Sequence, residues 1–157
     1  MQEHCREYLE HYLNSLPKEI AQQYQSFSAD YFCASQHSAD LCAKLIFCGE
    51  KRATCSMDYW YRHAGETRPM PGHLQVVTTF SGEPVCVIET LSVTTCRYCD
   101  VTAEFAFAEG EGDKTLKWWQ KAHWDFFSKE CAELGIEPNE QMLLVLEHFK
   151  VVYPRSV

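Results

Sequence analysis

Two short motifs in the sequence carry residue types suited to acid–base or nucleophilic chemistry. The first runs from Gly49 to Thr54 and includes Lys51 and Arg52. A lysine acts as a base only when its surroundings lower its pKa, because a solvated ammonium is protonated at neutral pH. The spacing therefore suggests that a buried Lys51 activates the Thr54 hydroxyl, as in Ser-Lys and Thr-amine hydrolases. The motif is short, and an exposed turn followed by an ordinary strand residue remains the alternative interpretation.

The second motif places three carboxylates, Glu109, Glu111 and Asp113, on either side of two glycines. Crowded like charges raise the pKa of one carboxyl, which can then serve as a general acid. Carboxylates in a flexible loop also suit hard divalent cations. Acids that precede a helix can instead complement its positive end, but that alternative does not explain the glycines, which allow a ligand to approach the backbone.

The segment after these acids is rich in aromatic residues at helical spacing. Most of them are expected in the core, because Trp119, Phe126 and Phe127 lie close to one apolar stripe. Trp118 lies further from the stripe and is predicted to face a ligand. His123 lies on or beside the stripe, which favours a hydrogen-bonded core histidine over a ligand-binding one.

The charge balance limits the classes of partner. The chain has 22 acidic and 14 basic residues and a formal net charge of −8, which argues against DNA and anionic membranes as partners. Any site for phosphate must therefore be a local basic patch. Its candidate members are Lys51, Arg52, Arg62, Arg68, Lys114, Lys117 and Lys121. No leader segment or long apolar run is evident, so a cytoplasmic location is expected.

Nine cysteines are present, an odd number in a chain of 157 residues. A chain of this size does not need disulfides, so we expect reduced thiols. Cys96 and Cys99 have the spacing of a redox pair or of half a zinc site. No second pair of ligands follows them, so no structural metal is expected.

Apolar spacing and turn residues predict the elements that position these motifs. They are a helix ending before Pro17, an irregular stretch around Phe27, a helix capped by Ser38 and ended by Gly49, strands over 74–80 and 85–93, a helix from Thr115 to near Gly135, and a strand over 142–153. The length suits a single compact domain. This mixture favours an α+β fold built on a small barrel or a curled sheet.

Taken together, the motifs resemble the ASCH-domain family, in its larger bacterial-type cytoplasmic branch. The matching segments are the 49–54 motif, Pro71-Gly72, 82–90, 105–113, 116–119 with His123, and 149–153. The resemblance covers about residues 27–153. Residues 1–26 lie outside the resemblance and are expected to form an N-terminal helical extension. The resemblance implies an ASCH domain over 27–157 with a PUA-like fold: a small curled β-barrel with flanking helices.

The resemblance also implies a role in RNA metabolism. One small member type removes the acetyl group from the exocyclic amine of acetylated cytidine with a Lys, a Thr and a Glu, which correspond here to Lys51, Thr54 and Glu111. Another member, similar to this chain in size, is a metal-dependent ribonuclease that acts on single-stranded RNA. This chain departs from the family pattern in having Arg52 where a threonine is common.

Three functions follow as expectations. The preferred one is amide hydrolysis on an N-acylated nucleoside without a cofactor, in which Lys51 is the base, Thr54 the nucleophile and Glu111 the acid. Arg52, Glu109 and Trp118 are then expected to contact the substrate. The second is a ribonuclease acting on single-stranded RNA, in which the acidic motif holds Mn²⁺ or Mg²⁺. The third is a module that binds RNA or a modified nucleoside without catalysis.

Overall fold

A computed structural model describes residues 1–155 of the chain. The helices are α1 (Glu3–Asn14), α2 (Lys18–Ala21), α3 (Gln36–Phe47), α4 (Tyr59–Arg62), α5 (Ala103–Glu109) and α6 (Leu116–Leu134). The strands are β1 (Phe27–Asp30), β2 (Ala53–Met57), β3 (Leu74–Thr78), β4 (Pro84–Arg97) and β5 (Leu143–Tyr153). Over the described part of the chain, no helix has the length and hydropathy needed to cross a membrane.

The strands form one sheet in the order β1-β3-β4-β5-β2. β1 is parallel to β3, and the other neighbours are antiparallel. The register of β4 against β5 shifts at two places, one of them between Thr90 and Ser92. Such irregularities bend a strand and increase its twist. The α+β class and the curled sheet with flanking helices are therefore confirmed, and within residues 1–155 the sheet stays open because its edge strands β1 and β2 do not pair.

Helices cover both sides of the sheet. α5 and α6 bury Phe105, Trp119 and Phe127 against β2 and β5. α1 packs Leu9 and Tyr12 on β3 and β4, and α3 packs on the same two strands. The division of the chain at residue 26 stays a prediction. This packing brings the end of α5, the start of α6 and the chain before β2 to one edge of the sheet.

Several predicted elements are confirmed, and two details were wrong. Thr115 caps α6 through its side chain, and Gly135 ends that helix in the left-handed region. The cap of α3 is Ser35 rather than Ser38, because the two serines form a reciprocal capping box in which Ser38 is the third helical residue. The stretch around Phe27 is a strand, since it pairs with β3 far along the chain, which local spacing does not reveal.

Candidate active site

A cavity of about 260 Å³ lies where the 49–54 segment, the acidic motif and α6 meet. We call it the motif cavity. Lys51, Thr54, Glu109 and Glu111 line it, together with His123 from α6. Two motifs that are far apart in the sequence therefore share one cleft.

Lys51 lies at the floor of the motif cavity and is only 2% exposed. Its Nζ donates to Glu111 Oε2 at 3.0 Å, to Glu109 Oε1 at 3.3 Å and to the Ala53 carbonyl oxygen at 2.9 Å. Burial alone would lower the pKa of Lys51, but the two carboxylates outweigh burial and hold the pKa above its usual value. The expected neutral base is thus a charged ammonium, because the carboxylates that surround it are close enough to keep its proton in place.

Glu109 is the last residue of α5 and is 1% exposed. It accepts hydrogen bonds from Lys51, from the Trp119 indole N–H and from His123 Nε2, the last at 3.0 Å. Burial would raise its pKa, but the Lys51 charge and the His123 hydrogen bond lower the pKa to about 2. Glu109 was expected to contact substrate, yet its carboxylate accepts from these three donors and also from the Cys55 thiol, so in the structure it anchors the cavity floor.

The ion pair between Lys51 and Glu109 makes the stability of the folded chain depend on pH in the acidic range. The pKa of Glu109 is about 2 in the folded chain, against an ordinary value of 4.5. The ionised Glu109 carboxylate therefore stabilises the folded chain fully above pH 4.5. This contribution to the free energy of unfolding is lost as the pH falls from 4.5 towards about 2. We expect Glu109→Gln to be less stable than the wild type at neutral pH and to lose less stability on acidification. Thermal unfolding across this pH range measures both; parallel curves for the two proteins would contradict the assignment.

His123 is a cavity residue whose role the sequence did not reveal. Its Nδ1 lies 2.9 Å from the Trp119 carbonyl oxygen, and its Nε2 lies 3.0 Å from Glu109 Oε2. Both partners are acceptors, so the doubly protonated ring satisfies both contacts. Burial lowers the pKa of His123, but the bond to Glu109 outweighs burial and raises it. The ring also stacks on Trp119 with centroids 4.2 Å apart. The predicted hydrogen-bonded, largely buried histidine is thus also a wall of the site.

Two carboxylates contact Lys51, and Glu111 is the one that is exposed to solvent, with 20% of its side chain accessible. Its Oε2 accepts from Lys51, and its Oε1 lies 3.5 Å from Cys42 Sγ and 3.9 Å from Cys33 Sγ. Asp113 differs, since its Oδ1 accepts from the Thr115 backbone N–H at 2.9 Å and from the Thr115 hydroxyl. The three carboxylates of the motif therefore do not converge on one point.

The glycines of the acidic motif are required by close contacts. Gly110 has φ +70°, and a Cβ there would collide with the Glu50 carbonyl oxygen. Gly112 has φ +60°, and a Cβ there would collide with the Trp118 indole. The first contact holds the acidic motif against the 49–54 segment, and the second seats the Trp118 ring.

We expect Gly110→Ala to lower the free energy of unfolding by roughly 3 kcal/mol, because strain at positive φ adds to the collision with Glu50. Gly135→Ala is the matched control, since Gly135 also ends a helix, at φ +71°, with nothing within 4 Å of its Cβ position. We expect the control to lose only about 1 kcal/mol. Chemical denaturation measures both losses, and equal losses would show that the collision is relieved at no cost.

Aromatic side chains form the mouth of the motif cavity. Trp118, predicted to face a ligand, lines it and is 37% exposed. Phe126 also lines it and is 40% exposed, so its predicted place in the apolar stripe was wrong. Phe127, the next residue of α6, is buried as predicted. Phe32 completes the wall from the loop before α3.

Thr54 lines the motif cavity from the edge strand β2. Cys55, the next residue of β2, also lines the cavity. It is Cys55 that reaches Glu109, with Sγ 3.7 Å from Oε2. Within residues 1–155, no hydrogen bond joins Lys51 to Thr54, and the direct pair predicted from their spacing is not formed.

The proposed basic patch is dispersed. Arg52 is exposed and lines a separate cavity of about 520 Å³ with Lys150 and Arg155, rather than the motif cavity. The other members except Lys117 pair with acids: Arg62 and Arg68 with Asp58, Lys114 with Glu50, Lys121 with Asp125, and Lys51 with Glu109 and Glu111. Among the described residues that line the motif cavity, the cationic groups are Lys51 and His123, and they form no extended phosphate track.

Comparison with known proteins gives the family. A family model described as the ASCH domain matches residues 28–153. The chain belongs to the ASCH domain family. A crystal structure of an ASCH domain from Lactobacillus crispatus JV V101 is 59% identical, covers 98% of this chain and 96% of that chain, and superposes with a TM-score of 0.96.

Two further structures share the fold of this ASCH domain. Protein EF3133 from Enterococcus faecalis V583 is 26% identical, with a TM-score of 0.84 and coverage of 97% of this chain and 90% of that chain. The hypothetical protein PH0355, at 11% identity and a TM-score of 0.51, shares the fold alone. No curated protein matches the chain. The predicted PUA-like fold is confirmed, and ASCH domains are generally related to RNA.

Two groups of side chains in this ASCH domain have the chemistry of metal ligands: Cys33, Cys42 and Glu111, and Cys55, Glu109 and His123. Each group offers one carboxylate beside thiols or an imidazole, whereas Mn²⁺ and Mg²⁺ prefer several oxygen ligands. The two carboxylates also share the Lys51 ammonium, which opposes a second cation. The residues present therefore do not fit the hard cation that a ribonuclease mechanism would need.

Proposed function

We propose that this ASCH domain hydrolyses the amide between an acyl group and the exocyclic amine of a cytidine-type nucleoside in the motif cavity. The observation that carries the proposal is the Lys51 ammonium, held by Glu111 at the floor of an aromatic-walled cleft. A fixed positive charge beside a partly exposed carboxylate supplies both parts of amide hydrolysis: stabilisation of an oxyanion and transfer of a proton.

The shape of the cavity supports a small substrate. Its volume of about 260 Å³ lies just below the roughly 300 Å³ at which ligand pockets begin, which suits one base better than a folded strand. Trp118 and Phe126 offer faces on which a base can stack. The net charge of −8 also favours a nucleoside over long RNA, as does the fact that most nearby Lys and Arg side chains form ion pairs with acidic residues.

The proposed reaction assigns a role to each group. Glu111 takes the proton of the Thr54 hydroxyl as its oxygen attacks the acyl carbon, and the carbonyl electron pair moves onto oxygen beside the Lys51 charge. The amide C–N bond then breaks, and Glu111 returns the proton to the leaving amine. Water then enters, and Glu111 takes one of its protons as the water oxygen attacks the acyl carbon. The ester C–O bond breaks, and Glu111 returns that proton to the Thr54 oxygen, which releases the acid and restores the free hydroxyl.

This scheme keeps the three residues of the preferred expectation, but Glu111 is now the base as well as the acid, and Lys51 stabilises the oxyanion instead. A lysine whose proton is held by two carboxylates is a poor base and a good stabiliser of negative charge. Glu109 is a positioning residue because it contacts the Lys51 ammonium directly, and His123 is one because it contacts the Glu109 carboxylate.

Trp118→Ala should raise KM for the nucleoside by about tenfold or more, because base–aromatic stacking contributes about 1–3 kcal/mol. The change leaves Lys51 and Glu111 in place, so kcat should fall little. Phe107→Ala is the control, since Phe107 is also an exposed aromatic residue but lies outside the cavity wall. Steady-state kinetics measure both constants; a fall in kcat at unchanged KM would contradict a stacking role.

The test of the activity is chromatographic. Purified protein is incubated separately with N-acetylated cytidine, N-acylated adenosine and a short single-stranded RNA, each with manganese and each with chelator. The proposal expects chelator-resistant release of cytidine and intact RNA. Chelator-sensitive RNA fragments would favour the ribonuclease instead, and saturable binding with every substrate intact would favour a binding module.

A further inference from the structure

The structure contains a pair of thiols that the proposed reaction does not use. Cys33 lies in the loop between β1 and α3, and Cys42 lies on α3. Their Sγ atoms are 2.8 Å apart. This pair differs from the Cys96 and Cys99 pair that the sequence spacing suggested, for which no sulfur–sulfur contact is found in the described residues.

The surroundings of the two thiols differ. Cys42 is buried, whereas Cys33 is half-buried and lines the motif cavity. The hydrogen bond to Cys33, burial and the Glu111 carboxylate all raise the pKa of Cys42. Cys33 is therefore the more accessible thiol and reacts first with a reagent in the cavity, whereas Cys42 is buried behind it.

The backbone at Cys33 supports a special role for the pair. Cys33 has φ +72°, a left-handed conformation that non-glycine residues rarely adopt. In this conformation Cys33 contacts Cys42 on α3. Closing the gap to the roughly 2.05 Å of a disulfide bond requires only a small side-chain movement.

We propose that Cys33 and Cys42 are a modification site, which a small-molecule disulfide oxidises reversibly to an intramolecular disulfide at the wall of the motif cavity. Cys33, as thiolate, attacks one sulfur of the reagent and releases the first thiol. Cys42 gives up its proton, for which Glu111 Oε1 is the near acceptor at 3.5 Å, and its sulfur displaces the second thiol from Cys33. Two protein thiols are oxidised and one small disulfide is reduced to two thiols.

The disulfide would change the cavity in two ways. It ties the loop that carries Phe32 and Cys33 to α3, which fixes one wall. It also removes both S–H donors from Glu111 Oε1. These consequences concern the cavity itself and hold whether or not the chain hydrolyses a nucleoside.

The test uses the reduced full chain and oxidised glutathione, followed by alkylation and peptide mapping. We expect a Cys33–Cys42 linkage to form before any other of the nine cysteines reacts, with loss of two titratable thiols that dithiothreitol restores. Cys42→Ser should accumulate glutathione on Cys33, because nothing displaces it. Cys33→Ser should give neither product.

Cys99→Ser is the matched control, because Cys99 is exposed and lies outside the cavity; it should form the Cys33–Cys42 linkage as the wild type does. Far-UV circular dichroism checks that each variant is folded. The proposal is overturned if Cys33 and Cys42 stay reduced while other cysteines oxidise, or if glutathione stays on Cys33 in the wild type.

Discussion

Glu111→Gln should reduce hydrolysis of N-acetylated cytidine by about 10³-fold, within the range that a general acid–base residue contributes. Gln preserves the size of the side chain and its contact to Lys51, but it neither accepts nor returns the proton of the reaction. The carboxylate is partly exposed, so the variant should fold, and Lys51 keeps Glu109 as its ion partner. The turnover number at saturating substrate measures the loss.

The control for this variant is Glu104→Gln. Glu104 is an exposed carboxylate in the first turn of α5, outside the motif cavity. It should keep full activity, which separates the position of Glu111 from a general effect of charge. A Glu111→Gln protein with wild-type turnover would remove Glu111 from the proposed mechanism.

Lys51→Met should lower the free energy of unfolding by about 3–5 kcal/mol, the loss expected when one partner of a buried ion pair is removed. The substitution keeps the apolar stem but leaves the Glu109 carboxylate, 1% exposed, without its ammonium. His123 and Trp119 still donate to Glu109, so part of its stabilisation remains. Chemical denaturation at neutral pH measures the change.

Two further variants make this stability test specific. Lys51→Met combined with Glu109→Gln should recover part of the loss, because the orphaned charge is removed as well. Lys121→Met breaks an exposed pair with Asp125 and should change stability by less than about 1 kcal/mol. A loss for Lys51→Met as small as that for Lys121→Met would contradict a buried ion pair.

The elements that could be predicted from sequence are those specified by local signals. Thr115 and Gly135 mark the ends of α6 because a side-chain cap and a left-handed glycine act within one turn of the helix. β1 could not be predicted in this way, since its four residues become a strand only through pairing with β3. The open edge between β1 and β2 likewise depends on where the chain returns.

The site shows the same division. Spacing and residue type identified Lys51, Glu111 and Trp118 as candidate site residues, and all three line one cavity. The charge state of Lys51 could not be predicted, because it depends on two carboxylates about sixty positions away. Phe126 and His123 were assigned to the core because helical spacing defines a stripe but not the point where the stripe meets a cavity.

The most direct test of the central claim is the release of cytidine from N-acetylated cytidine by the wild-type chain with a metal chelator present. Chromatography follows free cytidine and acetate over time, in parallel with Glu111→Gln. The account expects both products in equal amounts from the wild type and almost none from the variant. Intact substrate with the wild type, at concentrations at which it binds, would contradict hydrolysis in the motif cavity.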